Sequence, residues 1–465
     1  MSMVSLFPLS ERKLLEKKFV GQNLKDVATP AAVLDLNKIK RNCARMLKAV
    51  DQLQFGWRVH IKTHKTNELT ELQVGEVGPV NIIVSTVLEA EQVLPLLLKY
   101  KKLGRDVNLL YSFPFTPASV ERLALFSKAT GPKGLSLLID HPSQLESVRN
   151  LYQATSIAPE IFIKVDMGYN RAGVIPQTEA CSQLITSMLN LEAEGVANLL
   201  GLYAHAGQSY SGNDRATALD YLRQEFESIL VTAGSVHSTL PSKPIILSVG
   251  ATPTSTSIRN LFANDVDSES EEGIAIAALK ATIVAIRERN CKIEIHAGVY
   301  PVLDLQQLAT NALTTEGPNA MLTFDDLALT VISEIASVYP GRGADGTPEA
   351  LIGSGSLALG REPCKAYPGW AIVTPWNRAG VEMPKTTLAR HTGWTVGRIS
   401  QEHGVLTWNG AVDEAEPLEV GMKVRLWPNH ACVAGAGFGW YLIVDSGREG
   451  KEDDIIDVWP RWRGW

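Results

Sequence analysis

Cysteine is scarce in this chain: five residues in 465, at positions 43, 181, 291, 364 and 432, with no CxxC pair. That dispersal excludes a disulfide framework and a zinc ribbon, and it fits a reducing compartment. Long apolar runs are missing too. The longest, IAIAALKATIVAI over 274–286, is interrupted by Lys280 and is too short to span a bilayer. Positive charge is not in excess: 44 Lys and Arg stand against 50 Asp and Glu, a net charge of −6. Without a basic, aromatic-laced stripe there is no electrostatic case for nucleic acid or an anionic membrane. The opening MSMVSLFPLSERKLL lacks the basic-then-apolar order of a secretory signal, and the closing RGW is no peroxisomal address. A cytoplasmic globular protein is expected, long enough for two domains.

What the chain does have is alternation. Short β-rich runs at 58–63, 81–86, 107–113, 135–140, 161–166, 199–205, 245–250 and 292–298 are separated by segments with apolar residues at helical spacing, such as SVERLALFS and DRATALDYLRQEFESIL. Strand followed by helix, eight times in about 270 residues, predicts an α/β fold with a closed parallel (β/α)8 barrel rather than an open sheet. After residue 305 the alternation stops, and pieces such as LALTVISEIASVYP, WTVGRIS, GVLTWNG and GWYLIVDSG predict a mostly antiparallel β domain. The expected domains are 28–305 and 306–465, with 1–27 packed on the second. The Gly- and Pro-rich stretch 338–389 reads as a long loop region. GSGSLALG at 353–360 lacks both the Gly-Lys-Ser/Thr ending and the GxGxxG spacing of a nucleotide loop.

Chemistry in such a barrel belongs at the C-terminal strand ends. Read in order, those ends are Lys62, Asp166 with Arg171, His205, Gly250 to Thr254, and Tyr300. A metal hydrolase would want several histidines and carboxylates there. A lysine-held, phosphorylated carbonyl cofactor suits this set better. Lys62 in VHIKTHKT could form a Schiff base, its ammonium discouraged by desolvation and cationic neighbours; the plain alternative is a surface lysine beside Lys65. SVGATPTST at 248–256 could be an anion nest of backbone amides and hydroxyls, or an ordinary loop. Arg171 could donate to a cofactor ring or simply pair with Asp166. His205, with Tyr203 on the same strand face, could be functional or a satisfied core histidine.

One motif lies far from the barrel. In PNHACVAG, at 428–435, His430 and Cys432 are two apart, which in a strand places both on one face. Imidazole and thiolate suit zinc. Two donors are too few for a structural site, so the choice is between an open catalytic metal site and two chance neighbours.

Taken together, HIKTHK around Lys62, KVDMGYNRAGV around Arg171, YAHAG around His205, the SVGATPT loop and HAGVYPVLD at 296–304 resemble the alanine-racemase-like, fold-type III pyridoxal-phosphate enzymes. Within them the chain is similar to the D-serine dehydratase and D-threonine aldolase branch, from about residue 28 to 445. The resemblance implies a dimer with active sites at the subunit interface, Lys62 as the lysine that carries the cofactor, and Arg171, Tyr203, His205, Tyr210, Gly250, Ala251 and Tyr300 as cofactor-binding positions. Gln208 and Ala251 stand where the family more often has His and Ser or Thr. It also implies zinc on His430 and Cys432, since the dehydratases carry His-x-Cys where the aldolases tend to place a carboxylate second. The implied reaction is β-elimination from a D-amino acid, with Lys62 taking the Cα proton and zinc aiding loss of the hydroxyl. The competing readings are a retro-aldol cleavage of β-hydroxy D-amino acids and a non-catalytic cofactor-binding protein. The tail WPRWRGW, at 459–465, is either a docking element or a segment packed on its own domain.

Overall fold

The computed structural model describes residues 3–263, 266–384 and 388–465. Its chain forms two compact units, one of residues 1–8, 45–298 and 464–465, the other of 9–44 and 299–463. The first strand, β1 (Ala31–Asp35), belongs to the second unit, where it pairs with strands from the C-terminal half of the chain. The sequence had counted residues from 28 onward with the barrel. Hydrophobic pattern alone could not separate them, because β1 is buried on both faces and reads like a barrel strand.

The first unit is the barrel. Strands β2 (Gly56–His60), β3 (Val80–Val84), β4 (Val107–Pro114), β5 (Leu135–Ile139), β6 (Glu160–Lys164), β7 (Asn198–Tyr203), β8 (Ile245–Val249) and β9 (Cys291–Ala297) pair in sequence order and close through β9 and β2. All pairings are parallel, as eight strands covered by helices require. Side chains from alternate positions fill the inside in layers. An apolar layer is built from Ile83, Leu110, Leu138, Phe162 and Tyr203. Toward the N-terminal strand ends lies a polar layer whose members satisfy one another. Arg58 Nε donates to Glu294 Oε1 (2.7 Å) and another guanidinium nitrogen to Asn108 Oδ1 (2.7 Å), while Ser136 and Ser248 donate to Asn108 and Glu294.

The second unit is a mostly antiparallel sheet of nine strands. To β1 it adds β10 (Leu329–Tyr339), β11 (Glu349–Ile352), β12 (Ala371–Val373), β13 (Gly393–Ile399), β14 (Gly404–Asn409), β15 (Lys423–Pro428), β16 (Trp440–Val444) and β17 (Asp457–Pro460). The long β10 pairs with β15, with β1 over 329–332 and with β11 over 335–339, the last change falling at a bulge after Ile335. Six strands thereby close on themselves around Val331, Ile335, Trp394, Trp408 and Leu426, while β1, β16 and β17 extend the sheet beyond β10. The stretch 338–389 is therefore not one long loop. It holds β11, β12 and a helical turn at Ser356–Leu359, elements of three or four residues that its glycines and prolines conceal in sequence; 385–387 lie outside the described residues. The tryptophan-rich tail packs back: β17 pairs with β16, and Trp459 and Trp462 are buried. Among the described residues no helix is long and apolar enough to cross a membrane.

Candidate active site

The barrel strands end earlier than their hydrophobic runs, and the residues at issue fall in the turns just beyond. Lys62 lies two residues past β2, half-buried. Its backbone N–H donates to His60 Nδ1 (3.4 Å), and His60 Nε2 meets Ser85 Oγ (3.3 Å). Burial, then the charge of Lys62, holds His60 well below the ordinary histidine range, so the ring is neutral. An Nδ1 that accepts leaves the proton on Nε2, facing Ser85. The neighbouring Lys65 is ion-paired with the buried Glu89 (2.9 Å), whereas no carboxylate pairs with Lys62 among the described residues. The two lysines of HIKTHK thus differ in kind.

Arg171 does not pair with Asp166 either. The Asp166 carboxylate accepts from the amides of Gly168 (3.0 Å) and Asn170 (3.1 Å), closing its own turn, and the Arg171 guanidinium sits over the Tyr169 ring at 5.3 Å. His205 Nδ1 meets the carbonyl of Gly250 at 2.6 Å. A carbonyl can only accept, so Nδ1 carries the proton and Nε2 is left as a bare acceptor. Burial, followed by the charges of Arg171, Lys164 and Lys62, keeps this ring neutral as well. Tyr203 stacks on His296 (4.1 Å between centroids, 11°), and burial raises its hydroxyl. Tyr210 is half-buried in the turn Gly207–Ser211.

Gly250 has φ +149°, and a Cβ there would stand 2.0 Å from His296 O. Its N–H donates to Glu225 Oε1 (3.1 Å), and the N–H of Ala251 to Thr254 Oγ1 (2.9 Å). The hydroxyls of the following turn are likewise engaged within the protein: Thr254 with Glu225, Ser255 with His296 O, Thr256 with Thr252 O and Ser257 with Thr254 O. The turn that SVGATPTST forms is thus cross-linked through its own hydroxyls. What it offers a ligand is close backbone approach at 250 rather than these donors.

Three residues that sequence reading missed share this mouth. Lys164, the last residue of β6, is 5% exposed with its ammonium 4.9 Å from the Tyr203 ring centroid; burial, then Arg171, pushes it down to about 7. Its signal was available, as a lysine ending the apolar run IFIKVD two residues before Asp166. Glu225, from the helix Arg215–His237, is fully buried and pushed up to about 7 by burial. Nothing in an amphipathic helix pattern marks it. His296 Nδ1 meets Ser248 Oγ (3.1 Å), while its Nε2 has no partner among the described residues.

In the second unit, Tyr300 is buried and hydrogen-bonded to Cys43. His430 and Cys432 are not on a strand. His430 follows β15 and caps a helical turn, Ala431–Ala434, that contains Cys432. The two side chains still meet through a hydrogen bond. Burial opposes charge on His430, but that bond, the thiol's charge and the nearby Asp304 and Glu362 outweigh it and raise the ring to about 9. Gln306 fixes the imidazole: its Nε2 donates to Pro363 O (2.8 Å), so its Oε1 is the atom facing His430 Nδ1 (2.5 Å). Nε2 is thereby the nitrogen turned to Cys432. Asp304 accepts from the amides of Ala431 (2.8 Å) and Gln307 (3.0 Å), tying the two segments together. Among the described residues no cluster of three or more His, Cys, Asp or Glu forms a fuller metal site.

Residues 34–269 match the model of the alanine racemase N-terminal domain, and residues 328–444 match a putative serine dehydratase domain. A D-serine dehydratase of Schizosaccharomyces pombe is 33% identical over 458 residues, covering 97% of this chain and 95% of that protein. The chain belongs to the D-serine dehydratase family. As a member it is a lyase, a dehydratase of the pyridoxal-phosphate type. Among solved structures, D-threo-3-hydroxyaspartate dehydratase from Delftia sp. HT23 shares the fold with a TM-score of 0.71 at 23% identity, over 96% of this chain and all of that one. A variant of that enzyme, with one cysteine replaced by alanine, superposes with the same TM-score, identity and coverage and is described as its metal-free form.

Proposed function

We propose that the chain eliminates water from D-serine with the help of pyridoxal phosphate and zinc. D-Serine loses water to 2-aminoacrylate, which takes up water and yields pyruvate and ammonia. The observation that carries this reading is Lys62, a lysine without a carboxylate partner among the described residues, held at the barrel rim beside two imidazoles kept neutral.

The mouth fits the cofactor. Buried polar atoms without partners among the described residues lie on the segments there, His296 Nε2, Gln208 Oε1 and Ser209 Oγ, and the cations Lys62, Lys164 and Arg171 suit an anionic phosphate and phenolate. Pyridoxal phosphate bound there supplies an electron sink conjugated to the substrate's Cα. Lys62 Nζ would be the amine that holds the cofactor and, when free, the base positioned to take the proton from the substrate's Cα. His205, protonated at Nδ1 by its bond to Gly250, presents Nε2 as an acceptor and adds no positive charge. Arg171, free of Asp166, is available to the ring, and Tyr203 and Tyr210 line the same end of the barrel.

His430 Nε2 and Cys432 Sγ are the donors for zinc, and the proton they share is the one a metal would replace. Zinc held by these two donors would supply a Lewis acid for the β-hydroxyl. The cysteine in the second position supports elimination over retro-aldol cleavage, as do the relatives named dehydratases, and the cysteine variant described as metal-free supports a metal at such a pair. A homodimer with Tyr300 among the cofactor contacts completes the proposal.

Purified protein incubated with D-serine should form pyruvate, followed with lactate dehydrogenase. The activity should fall with a chelator and return with zinc. Glycine and aldehyde from D-threonine, without pyruvate from D-serine, would replace elimination by aldol cleavage. Lys62→Ala should lack the visible absorbance of the bound cofactor, and a variant that keeps the full band would remove Lys62 from its role.

A further inference from the structure

The helix Arg215–His237 buries a carboxyl group, that of Glu225, at 0% exposure. A leucine at this position would pack without the penalty of burying a charge. The carboxyl accepts three hydrogen bonds instead. Oε1 takes the backbone N–H of Ala206 (2.7 Å) and of Gly250 (3.1 Å), and Oε2 takes the hydroxyl of Thr254 (2.8 Å). Ala206 follows His205, whose ring donates to the carbonyl of Gly250 (2.6 Å). The set is a closed ring: carboxyl to Ala206, His205 to Gly250 O, Gly250 N–H back to the same oxygen. Two loops from different strand ends, after β7 and after β8, are held in one relation by one atom of a third element.

We propose that Glu225 is the positioning residue of the cofactor cradle, fixing His205 and the Gly250–Thr254 turn relative to each other. This rests on the reading that the barrel mouth holds pyridoxal phosphate. Glu225 touches neither cofactor nor substrate in this account. It acts through Gly250 and His205. The bonding also predicts which substitution is tolerated. A glutamine keeps Oε1 for both amides, and its Nε2 meets Thr254 Oγ1, whose proton can turn to Ala251 O (3.2 Å). An alanine leaves two buried N–H groups without an acceptor, so the loops must move.

The test is the dissociation constant of pyridoxal phosphate for the apoproteins of wild type, Glu225→Ala and Glu225→Gln, with kcat and KM for D-serine at saturating cofactor. Glu225→Ala should bind the cofactor about tenfold or more weakly, the loss of one hydrogen bond to a charged group. Its kcat should stay low when cofactor is saturating, because His205 is displaced as well. Glu225→Gln should restore affinity to within about threefold. A folded Glu225→Ala that binds cofactor with the wild-type constant overturns the proposal, and so does a glutamine variant as impaired as the alanine one. If Glu225→Ala yields no folded protein, Thr254→Val, which deletes one of the three contacts, decides in its place: a constant raised about threefold or more supports the role, an unchanged one rejects it. A wild-type apoprotein that takes up no pyridoxal phosphate would instead bring down the reading beneath the proposal.

Discussion

Replacing Gly250 by alanine adds one methyl group where the structure has no room for it. The new Cβ would stand 2.0 Å from the carbonyl oxygen of His296 and 2.4 Å from the hydroxyl of Ser255, at φ +149°. The hydroxyl can rotate, though it gives up its 2.7 Å bond to the same carbonyl. The carbonyl cannot retreat, because His296 lies in β9, held in register between β8 and β2. Residue 250 must therefore move, by about 1.4 Å to reach an ordinary carbon–oxygen contact. Overpacking of this kind costs about 1–3 kcal/mol and a non-glycine residue at such a φ about 1–2 more, so a loss near 3 kcal/mol is expected. At roughly 2 cal/mol/K of unfolding entropy per residue, that lowers the melting temperature of the apoprotein by about 3 °C. The same shift pulls Gly250 O from His205 and its N–H from Glu225. Cofactor affinity should then fall about tenfold or more, out of proportion to the small change in stability. Calorimetry of the apoprotein and a cofactor titration measure both. A variant that melts within about 1 °C of wild type and binds cofactor equally well would refute the reasoning, since the turn would then be free to move.

Other consequences are as direct. Arg58→Met strands Glu294 in the barrel interior, where the pair is 2% and 4% exposed, and should destabilise by about 3–5 kcal/mol in urea unfolding. Adding Glu294→Leu should recover most of that loss, and an unshifted midpoint for the single variant would dismiss the buried pair as a contributor. His430→Ala and Cys432→Ala should each lose bound zinc, by elemental analysis, while keeping their full content of pyridoxal phosphate; either variant holding a full equivalent of metal would exclude it as a ligand. Lys164 is held near 7 when folded but titrates near 10.5 when unfolded, so below pH 7 both states carry the proton, the folded state at a cost, and stability is reduced by the full amount. That reduction disappears as pH rises from 7 through 10.5. Lys164→Met should therefore stabilise the apoprotein at pH 7, by an amount of order a few kcal/mol, and gain little near pH 10.5. An equal gain at both pH values would contradict the assignment.

The barrel was legible because its signal is repetitive: eight short β-rich runs with helical spacing between them left little room for another closed arrangement. The runs overstated their length, however. His60, Lys164 and Tyr203 end their strands, and the apolar pattern continues into turns that are also buried. Lys62 and His205 were visible as polar residues interrupting apolar runs, and His430 and Cys432 as a donor pair, though the helical turn carrying Cys432 was not. Glu225 and Gln306 were invisible for a different reason. Each acts by a hydrogen bond to an atom more than fifteen residues away, Gly250 N–H in one case and His430 Nδ1 in the other. No local periodicity encodes such a bond. The membership of β1 in the second sheet was hidden likewise, because parallel pairing with β16 gives it the same all-buried composition as a barrel strand.

The two ends of the barrel interior differ in a way that locates function without reference to any relative. At the N-terminal end of the strands, buried polar groups are matched. Arg58 has Glu294 and Asn108, and Ser136 has Asn108. At the C-terminal end, comparable groups are left costly. Lys164 is buried with its charge discouraged, Glu225 is buried with its carboxyl raised, and His296 Nε2, Gln208 Oε1 and Ser209 Oγ lack partners among the described residues. One fold and one set of strands support both ends, so the difference is not imposed by architecture. An apolar residue could replace Lys164 with a gain in stability, whereas the carboxyl of Glu225 is kept by its three hydrogen bonds. The discouraged ammonium of Lys164 and the unpartnered polar atoms are groups a bound ligand would satisfy, and the ligand they describe is anionic and hydrogen-bonding. Pyridoxal phosphate meets both requirements, which is why the mismatch at this end counts as evidence for the site rather than as a defect of the core.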